Sequence, residues 1–308
     1  MTFEVPAALL ESAARGPGWD AWVRRLPRLV ASVLEEWDLT PDGDPMSGWT
    51  ALVLPVRTDD GTAAVLKVVC PGEELEHEHL ALQVWAGAGA VRMLRADPAR
   101  RVLLLERLHT RDLRAVEILE ACEVVAALYP RLHVPAPPQL RTQTSYLEGW
   151  LEGLGHLARD LPIPYRMVEQ ALSLGRDLVA DPVSTGTMVH GDLHYENVLA
   201  GDREPWLVID PQPTSGDPHF EPAPLLWNRW NEVAGEAETV RDAVRRRFHA
   251  VIDAAGLEEE RAVAWVGVRM IVNAFWSVED AAREARPLGP EEREWITRCV
   301  VIAKAVQD

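Results

Sequence analysis

Residues suited to phosphate chemistry lie in two short segments of the sequence. Asp192 and Asn197 occur in the run His-Gly-Asp-Leu-His-Tyr-Glu-Asn-Val-Leu over 190–199, which ends in an apolar pattern typical of a strand. A second apolar pattern, over 207–209, ends at Asp210. A loop aspartate can accept a proton from a substrate hydroxyl, and carboxylate and amide oxygens are suitable ligands for Mg²⁺. The two segments therefore predict a site for phosphoryl transfer.

The two apolar patterns predict a pair of short strands within 198–210, around a turn at 201–205. Antiparallel pairing places the start of the first strand beside the end of the second. We therefore expect Asn197 and Asp210 to be neighbours that hold Mg²⁺ together with nucleotide phosphates and water. Taken alone, the segment 190–192 is also compatible with a capped turn. A metal site of the two nearby histidines and Asp192 is disfavoured, because no partner ligands follow at suitable spacing.

Lysine is rare in this chain, which makes one lysine stand out. Of 31 basic residues only Lys67 and Lys304 are lysines, and Lys67 lies in the apolar run 63–69, which predicts a buried strand. A compact ammonium group there can contact nucleotide phosphates. A strand lysine that extends to the sheet edge is equally compatible with this segment.

A lysine in a buried strand needs a carboxylate to orient it. Glu78, on the helix predicted over 73–85, is the candidate partner of Lys67. The neighbouring acids Glu73, Glu74 and Glu76 are alternatives that the sequence leaves open.

The elements that carry these residues divide the chain into two lobes. A helical segment around 19–37 precedes predicted strands at 50–56, 63–69 and 101–106, whereas the pattern from Leu113 onward is mainly helical. We predict an α+β fold, with a small antiparallel-sheet lobe over residues 1–107 and a larger, mainly helical lobe over residues 108–308. A ligand site is expected in the cleft between them.

Composition excludes several classes of function. The net charge of -17 argues against a nucleic-acid-binding surface and is compatible with a cationic ligand. The first residues lack the pattern of a signal peptide, and no apolar stretch is long enough to cross a bilayer. We therefore expect a cytoplasmic protein that acts on a small molecule, with no nucleic-acid, membrane or obligate protein partner.

The run over 190–199 resembles the catalytic loop of aminoglycoside phosphotransferases, which share a two-lobed protein-kinase-like fold. More narrowly, the chain is similar to the streptomycin 6-kinase and hydroxyurea phosphotransferase group. That narrower resemblance is carried by the segments 190–199, 204–211, 216–218, 226–228 and 273–280. It implies a kinase that uses ATP and Mg²⁺, with Asp192 as the catalytic base and Asn197 and Asp210 as metal ligands.

The resemblance also implies a nucleotide site in the first lobe. Lys67 would contact the ATP phosphates and pair with Glu78, while the backbone from Glu106 to Leu108 would meet the adenine. Two features depart from regulated protein kinases. No Gly-x-Gly-x-x-Gly motif precedes Lys67, and Pro211 follows the metal aspartate in place of Phe-Gly.

A cationic acceptor such as streptomycin, with two guanidinium groups, needs carboxylates around its hydroxyl. The candidate acids are Asp192, Glu221, Glu232, Glu279 and Asp280, and the candidate stacking residues are Trp227, Trp230 and Trp276. We expect Trp227 and Trp230 to share a helix face. The narrower resemblance favours Trp276 with Glu279 or Asp280 as the substrate pocket, with Glu221 as a further candidate. Core packing of the tryptophans and a solvated acidic face are the alternatives.

Two other functions are compatible with parts of the pattern. One is a metabolic or hydroxyurea kinase of the same fold. The other is a non-catalytic nucleotide-binding protein, which is disfavoured because Lys67, Asp192, Asn197 and Asp210 are all present.

Overall fold

The chain divides into two units in the computed structural model, which describes residues 5–13, 16–48, 50–70, 72, 77–157, 161–233 and 238–307. Unit 1 comprises Met1–Thr110 and Ala200–Gln212, and unit 2 comprises Arg111–Leu199 and Pro213–Asp308. The chain therefore leaves unit 2 after Leu199 and returns to it at Pro213. No helix among the described residues is long and apolar enough to span a membrane.

Unit 1 is built on an antiparallel sheet. Its strands are β1 (Thr40–Pro41), β2 (Met46–Ser47), β3 (Ala51–Arg57), β4 (Ala63–Val69), β5 (Met93–Asp97) and β6 (Val102–Glu106). The strand order is β1-β3-β4-β6-β5, and β2 pairs with the other end of β3. In the centre Lys67 lies opposite Val53 on β3 and Leu103 on β6. The predicted strand at 63–69 is confirmed, whereas β5 was not predicted.

Among its described residues, unit 1 also contains three helices, two before the first strand and one after β4. They are α1 (Ala7–Ser12), α2 (Pro17–Glu36) and α3 (Glu78–Trp85). The apolar face of α2 packs with alternate residues of β3 and β4 in one core, in which Leu26, Val30, Leu52 and Leu66 have no exposed surface. This alternation leaves the other side chains of β4, including Lys67, on the opposite face of the sheet.

The segment 200–212 belongs to unit 1 because its backbone pairs there. It contains β9 (Leu207–Val208), where Val208 donates to the carbonyl of Gly89 and accepts from Val91, at 2.9 and 2.8 Å. Arg203 donates to the carbonyls of Gly87 and Ala90 and to the carboxylate of Glu106. These contacts fix the stretch of chain that leads to Asp210.

Unit 2 is mainly helical. Its helices are α4 (Ile118–Leu132), α5 (Gln143–Gly155), α6 (Tyr165–Ala180), α7 (Ala223–Trp227), α8 (Val240–Ala255), α9 (Glu259–Arg283) and α10 (Pro290–Ala305). Its short strands are β7 (Thr187–Val189), β8 (Val198–Leu199) and β10 (Thr214–Gly216), of which β7 and β10 pair antiparallel. The long helix α9 is buried over most of its length, with Trp265, Val268 and Val272 in a core shared with α5 and α6. The run 190–197 follows β7 directly.

Candidate active site

Lys67 is the centre of a charged triad in unit 1. Its Nζ donates to both carboxylate oxygens of Glu78, at 2.7 and 2.8 Å, and to Oδ1 of Asp210 at 2.7 Å. Lys67 and Glu78 are buried, whereas the side chain of Asp210 is 42% exposed. The predicted pairing of Lys67 with Glu78 is observed; the alternatives Glu73, Glu74 and Glu76 lie outside the described residues. Asp210 is therefore the member of the triad that a ligand can reach.

One lysine pairs with two carboxylates in this triad, and the pKa shifts follow from burial together with these charges. Burial opposes the charge on Lys67, but Asp210 and Glu78 outweigh it and raise the pKa of the ammonium group. Burial raises the pKa of Glu78 to about 7, against the attraction of Lys67 and with the help of the negative charge on Asp210. A further cation near Asp210 would relieve the excess negative charge.

The backbone around Asp192 forms a tight loop in unit 2. The amide of Asp192 donates to Nδ1 of His190 at 3.3 Å, and the Nδ2 of Asn197 donates to the carbonyl of Asp192 at 2.8 Å. A 3-10 helix over Tyr195–Asn197 closes the loop and leads into β8. Because its amide nitrogen is used within the loop, Asn197 keeps its Oδ1 as a potential metal ligand. Asn197 belongs to unit 2 and Asp210 to unit 1, so their proximity stays a prediction.

Gly191, the residue before Asp192, has both its backbone N–H and its carbonyl hydrogen-bonded to side chains. Oε1 of Glu221 accepts from the amide of Gly191 at 3.1 Å, and Nη2 of Arg269 donates to the carbonyl of Gly191 at 2.7 Å. Gly191 has a φ of +84°, a conformation open to glycine at little cost. Glu221 and Arg269 therefore fix the backbone from which the Asp192 carboxylate projects.

In this clamp of Gly191 by Glu221 and Arg269, Glu221 is buried and Arg269 is half-buried, which makes their charges costly. Burial raises the pKa of Glu221 to about 7, against the amide of Gly191 and the charge of Arg269. Burial likewise lowers the pKa of Arg269 to about 10. The Arg269 guanidinium lies 3.8 Å from the centroid of Phe220, and it also donates to the Phe220 carbonyl. Glu221 has no exposed surface, so its side chain faces the protein interior, and its contact with a substrate stays a prediction.

Asp217 organises the loop that carries Glu221. Oδ2 of this buried aspartate accepts from Nε of Arg261 at 2.5 Å and from Nε1 of Trp265 at 2.7 Å, and Oδ1 accepts from the backbone amide of His219 at 3.0 Å. Burial raises the pKa of Asp217, but hydrogen bonds from the side chain and amide of His219 and from Trp265 outweigh it and leave the pKa below its usual value. Its buried position and these contacts support a structural role for Asp217.

Of the predicted substrate residues on α9, Trp276 packs against the core, whereas Glu279 and Asp280 are exposed. Trp276 lies edge-on to Trp150, with ring centroids 5.1 Å apart, beside the core of unit 2. Glu279 and Asp280 are exposed and pair with Arg283 at 3.6 and 3.1 Å. These carboxylates are therefore accessible, but each has a cation beside it.

The prediction that Trp227 and Trp230 share a helix face is wrong. Helix α7 ends at Trp227, after which Asn228 is extended and Arg229 has a φ of 52°. Trp230 then begins a separate 3-10 helix. The left-handed residue between the two tryptophans redirects the chain, and the spacing of the tryptophans alone does not reveal it.

The predicted adenine segment lies at the end of β6. The side chain of Glu106 accepts from Arg203 at 2.7 Å and from the amide of Arg92 at 2.7 Å. These bonds fix the end of β6 to the segments that carry Arg92 and Arg203. Leu108 is half-buried, and a Cβ at Gly201 would lie 3.4 Å from its Cδ2. The contact of this backbone with adenine stays a prediction.

Two supporting arginines were missed by the sequence reasoning. Arg269 stands within the apolar run Val-Gly-Val-Arg-Met-Ile-Val over 266–272, the same signal that singled out Lys67. Arg203 stands in a predicted turn, where no sequence pattern marks it as more than a surface residue.

The antiparallel sheet with its lysine–glutamate pair, and the helical unit that carries the aspartate loop, define a kinase-like phosphotransferase. A thermostable mutant of aminoglycoside phosphotransferase APH(4)-Ia, solved with ADP and hygromycin B, aligns with a TM-score of 0.60 at 16% identity. The alignment covers 89% of this chain and 97% of that one. The predicted α+β, protein-kinase-like fold is thereby confirmed.

Sequence comparison identifies the family. Residues 36–281 match the aminoglycoside/hydroxyurea antibiotic resistance kinases. The streptomycin 6-kinase of Streptomyces glaucescens is 42% identical over 291 residues, which cover 92% of this chain and 94% of that protein. The hydroxyurea phosphotransferase of Kitasatospora aureofaciens is 41% identical over 286 residues, with coverages of 90% and 81%. The chain belongs to this family of kinases, and it is a phosphotransferase that acts on a hydroxyl group.

Proposed function

We propose that this chain is a cytoplasmic kinase that uses ATP and Mg²⁺ to phosphorylate a hydroxyl of a cationic aminoglycoside, with streptomycin as the preferred acceptor. The observation that carries the proposal is the 42% identity to a streptomycin 6-kinase over 92% of the chain. We assign the nucleotide to the predicted sheet lobe, residues 1–107, and the acceptor to the helical lobe, residues 108–308. Phosphorylation would inactivate the antibiotic by adding negative charge to a cation.

The residues present fit Mg²⁺. The exposed Asp210 carboxylate and the remaining oxygen of Asn197 are hard oxygen donors, and two protein ligands suffice where phosphates complete the shell. When bound, Mg²⁺ would neutralise charge on the nucleotide phosphates. The excess negative charge of the Lys67 triad supports this assignment, since a cation at Asp210 would release Lys67 to bind phosphate.

The chemistry assigned to the chain's own residues is positioning and proton transfer. Asp192 would take the proton of the acceptor hydroxyl as its oxygen forms a bond to the γ-phosphorus of ATP. The bond from that phosphorus to the bridging oxygen breaks, and ADP leaves with the electron pair. Lys67, oriented by Glu78, would bind the nucleotide phosphates, and the backbone of Glu106 to Leu108 would meet the adenine.

The acceptor assignment includes Trp276, Glu279 and Asp280 as a substrate surface on α9. The exposure of both carboxylates on one helix supports this. For Glu221, complete burial and the bond to Gly191 favour a positioning role over the substrate contact expected from sequence. No other function of the fold has equal support, although the relative named for hydroxyurea makes that compound the second candidate acceptor.

A competition experiment tests the acceptor. The purified protein would be incubated with ATP, Mg²⁺ and equimolar streptomycin, hydroxyurea and hygromycin B, and the products separated and counted. We expect streptomycin phosphate to dominate. Phosphorylated hydroxyurea without phosphorylated streptomycin would establish the second candidate, and ATP turnover on neither would direct the search to metabolic alcohols.

A further inference from the structure

A cavity of about 310 Å³ lies in unit 2 beside the Asp192 loop. It is lined by Arg114, His194, Tyr195, Glu196, Asn228, Arg229, Asn231 and Glu232. Its volume is at the lower end of the range for small-molecule sites, so it suits one substituted ring more than a whole trisaccharide. Of its two lining glutamates, Glu232 was one of the candidate acids from the sequence, whereas Glu196 was not.

His194 connects this cavity to the proposed base. Its Nε2 lies 3.8 Å from Oδ2 of Asp192, and its Nδ1 accepts from the amide of Glu196 at 3.3 Å. Because Nδ1 accepts, the neutral ring has its proton on Nε2, which faces Asp192. A ring seated in the cavity would therefore contact a histidine whose Nε2 lies next to the Asp192 carboxylate.

The arginines of the cavity wall are already committed to the protein. Arg229 holds Glu232 through Nε and Nη2, at 2.9 and 2.5 Å, and donates through Nη1 to the carbonyls of Leu113 and Val116. Its guanidinium also lies 5.1 Å from the centroid of Tyr195. Little of its donor capacity remains for a ligand.

Arg114 is similarly shared between two acids. Its Nη2 lies 2.7 Å from Oδ2 of Asp112, and its Nη1 lies 2.6 Å from Oε1 of Glu196. Four carboxylates lie on or beside the cavity, those of Asp112, Asp192, Glu196 and Glu232. Three guanidinium groups oppose them, those of Arg114, Arg229 and Arg247, the last of which donates to the carbonyls of Asn228 and Arg229. Glu196 and Glu232 are nearly half exposed, so a cation can reach both. The local charge therefore favours a positively charged ligand.

We propose that this cavity is the acceptor subsite, and that Glu196 and Glu232 bind the guanidinium groups of the ring whose hydroxyl faces Asp192. The inference rests on the proposed function, because it takes a guanidinium-bearing acceptor as the substrate. Carboxylates match the planar donor pairs of a guanidinium group, and Asn228 and Asn231 offer amide groups to ring hydroxyls. Arg114 and Arg229 hold the carboxylates in place and moderate their charge.

The test compares charge-neutral variants in steady-state assays with streptomycin and ATP. Glu196→Gln and Glu232→Gln should each raise the KM for streptomycin about tenfold and leave the KM for ATP unchanged, as the loss of one charge-assisted hydrogen bond implies. Arg114→Gln should act in the opposite direction and lower the KM for streptomycin, because it frees Glu196. Glu123→Gln, which alters an exposed glutamate on α4, is the matched control and should leave both values unchanged.

The KM is expected to rise in the glutamate variants and to fall in Arg114→Gln. This difference separates the proposed effect from misfolding, which would weaken binding in all variants. If Glu232→Gln melts below the assay temperature, the exposed positions Glu196 and Arg114 still decide the outcome. Phosphorylation of streptomycin with the same KM in the Glu196 and Arg114 variants would overturn the subsite while leaving the proposed function intact. Failure of the unaltered protein to phosphorylate streptomycin would overturn the proposed function and this subsite with it.

Discussion

Lys67 donates to Asp210 at 2.7 Å while it holds both oxygens of Glu78. Residues 143 positions apart in sequence are thus joined within unit 1, because the chain returns there over 200–212. The buried Glu78 orients the ammonium group, and the exposed Asp210 is the partner that a ligand could replace. In the proposed function, this arrangement would orient Lys67 for nucleotide phosphates before any nucleotide is bound.

Replacement of Lys67 should abolish most of the activity. Lys67→Met leaves two carboxylates facing each other without a cation, and we expect kcat/KM for ATP to fall by about a hundredfold or more. The other lysine of the chain gives the matched control, because Lys304 is exposed on α10. Lys304→Met should keep full activity in the same coupled assay. Equal activity of the two variants would remove Lys67 from the mechanism.

The buried Glu221 should make stability depend on pH. Its pKa of about 7 lies above the ordinary value of 4.5, so the folded state binds its proton more tightly than the unfolded state. The contribution is present at low pH and lost as pH rises through 7, by as much as about 3 kcal/mol. Burial is the largest cause of the shift, and of the nearby charges, Arg269 lowers the pKa of Glu221 whereas Asp192 raises it.

Urea unfolding at pH 5 and pH 8 measures this contribution. In Glu221→Gln the loss of stability between the two pH values should be smaller than in the unaltered protein, whereas Glu123→Gln should behave like the unaltered protein. Identical pH dependence in all three would mean that Glu221 is not protonated near neutral pH.

Arg269 should act on catalysis through the backbone of Gly191. Arg269→Gln leaves the carbonyls of Gly191 and Phe220 without their donor, and we expect kcat to fall at least about tenfold with little change in the KM for ATP. Stability should also fall, by about 3 kcal/mol. Arg269→Lys should restore part of kcat, since one donor returns. Arg176→Gln, an exposed substitution on α6, is the control. A normal kcat in folded Arg269→Gln would show that the clamp is purely structural.

The acidic face of α9 should contribute modestly to acceptor binding. Glu279 and Asp280 are exposed and paired with Arg283, so their effect on a cationic substrate is weak and screened by salt. The double variant Glu279→Gln/Asp280→Asn should raise the KM for streptomycin about threefold at low ionic strength. The increase should vanish in high salt. A KM that is unchanged at both ionic strengths would exclude this face from the substrate site.

Sequence patterns predicted the elements whose physical cause is local. The apolar runs of β4 and β6 and the helical spacing of α2 each lie within a single element, and these elements are found close to their predicted positions. Lys67 was singled out as a rare lysine within an apolar run. A cation in such a strand is costly without partners, and the structure supplies two.

The remaining features depend on long-range contacts. The clamp of Gly191 joins residues 78 positions apart, and no local pattern pairs Arg269 with that carbonyl. Strand β5 escaped prediction because its side chains are half-buried or exposed and its pairing with β6 is irregular. The burial of Glu221 was also not predicted, because an acid near a catalytic loop gives no sign in sequence of facing inward.

Mass spectrometry of streptomycin after incubation with the protein, ATP and Mg²⁺ tests the central claim most directly. The account predicts that streptomycin gains one phosphate, that Asp192→Asn forms no product while still binding ATP, and that Asp253→Asn, an exposed substitution on α8, retains the activity. Streptomycin of unchanged mass with the unaltered protein, or full product with Asp192→Asn, would contradict it.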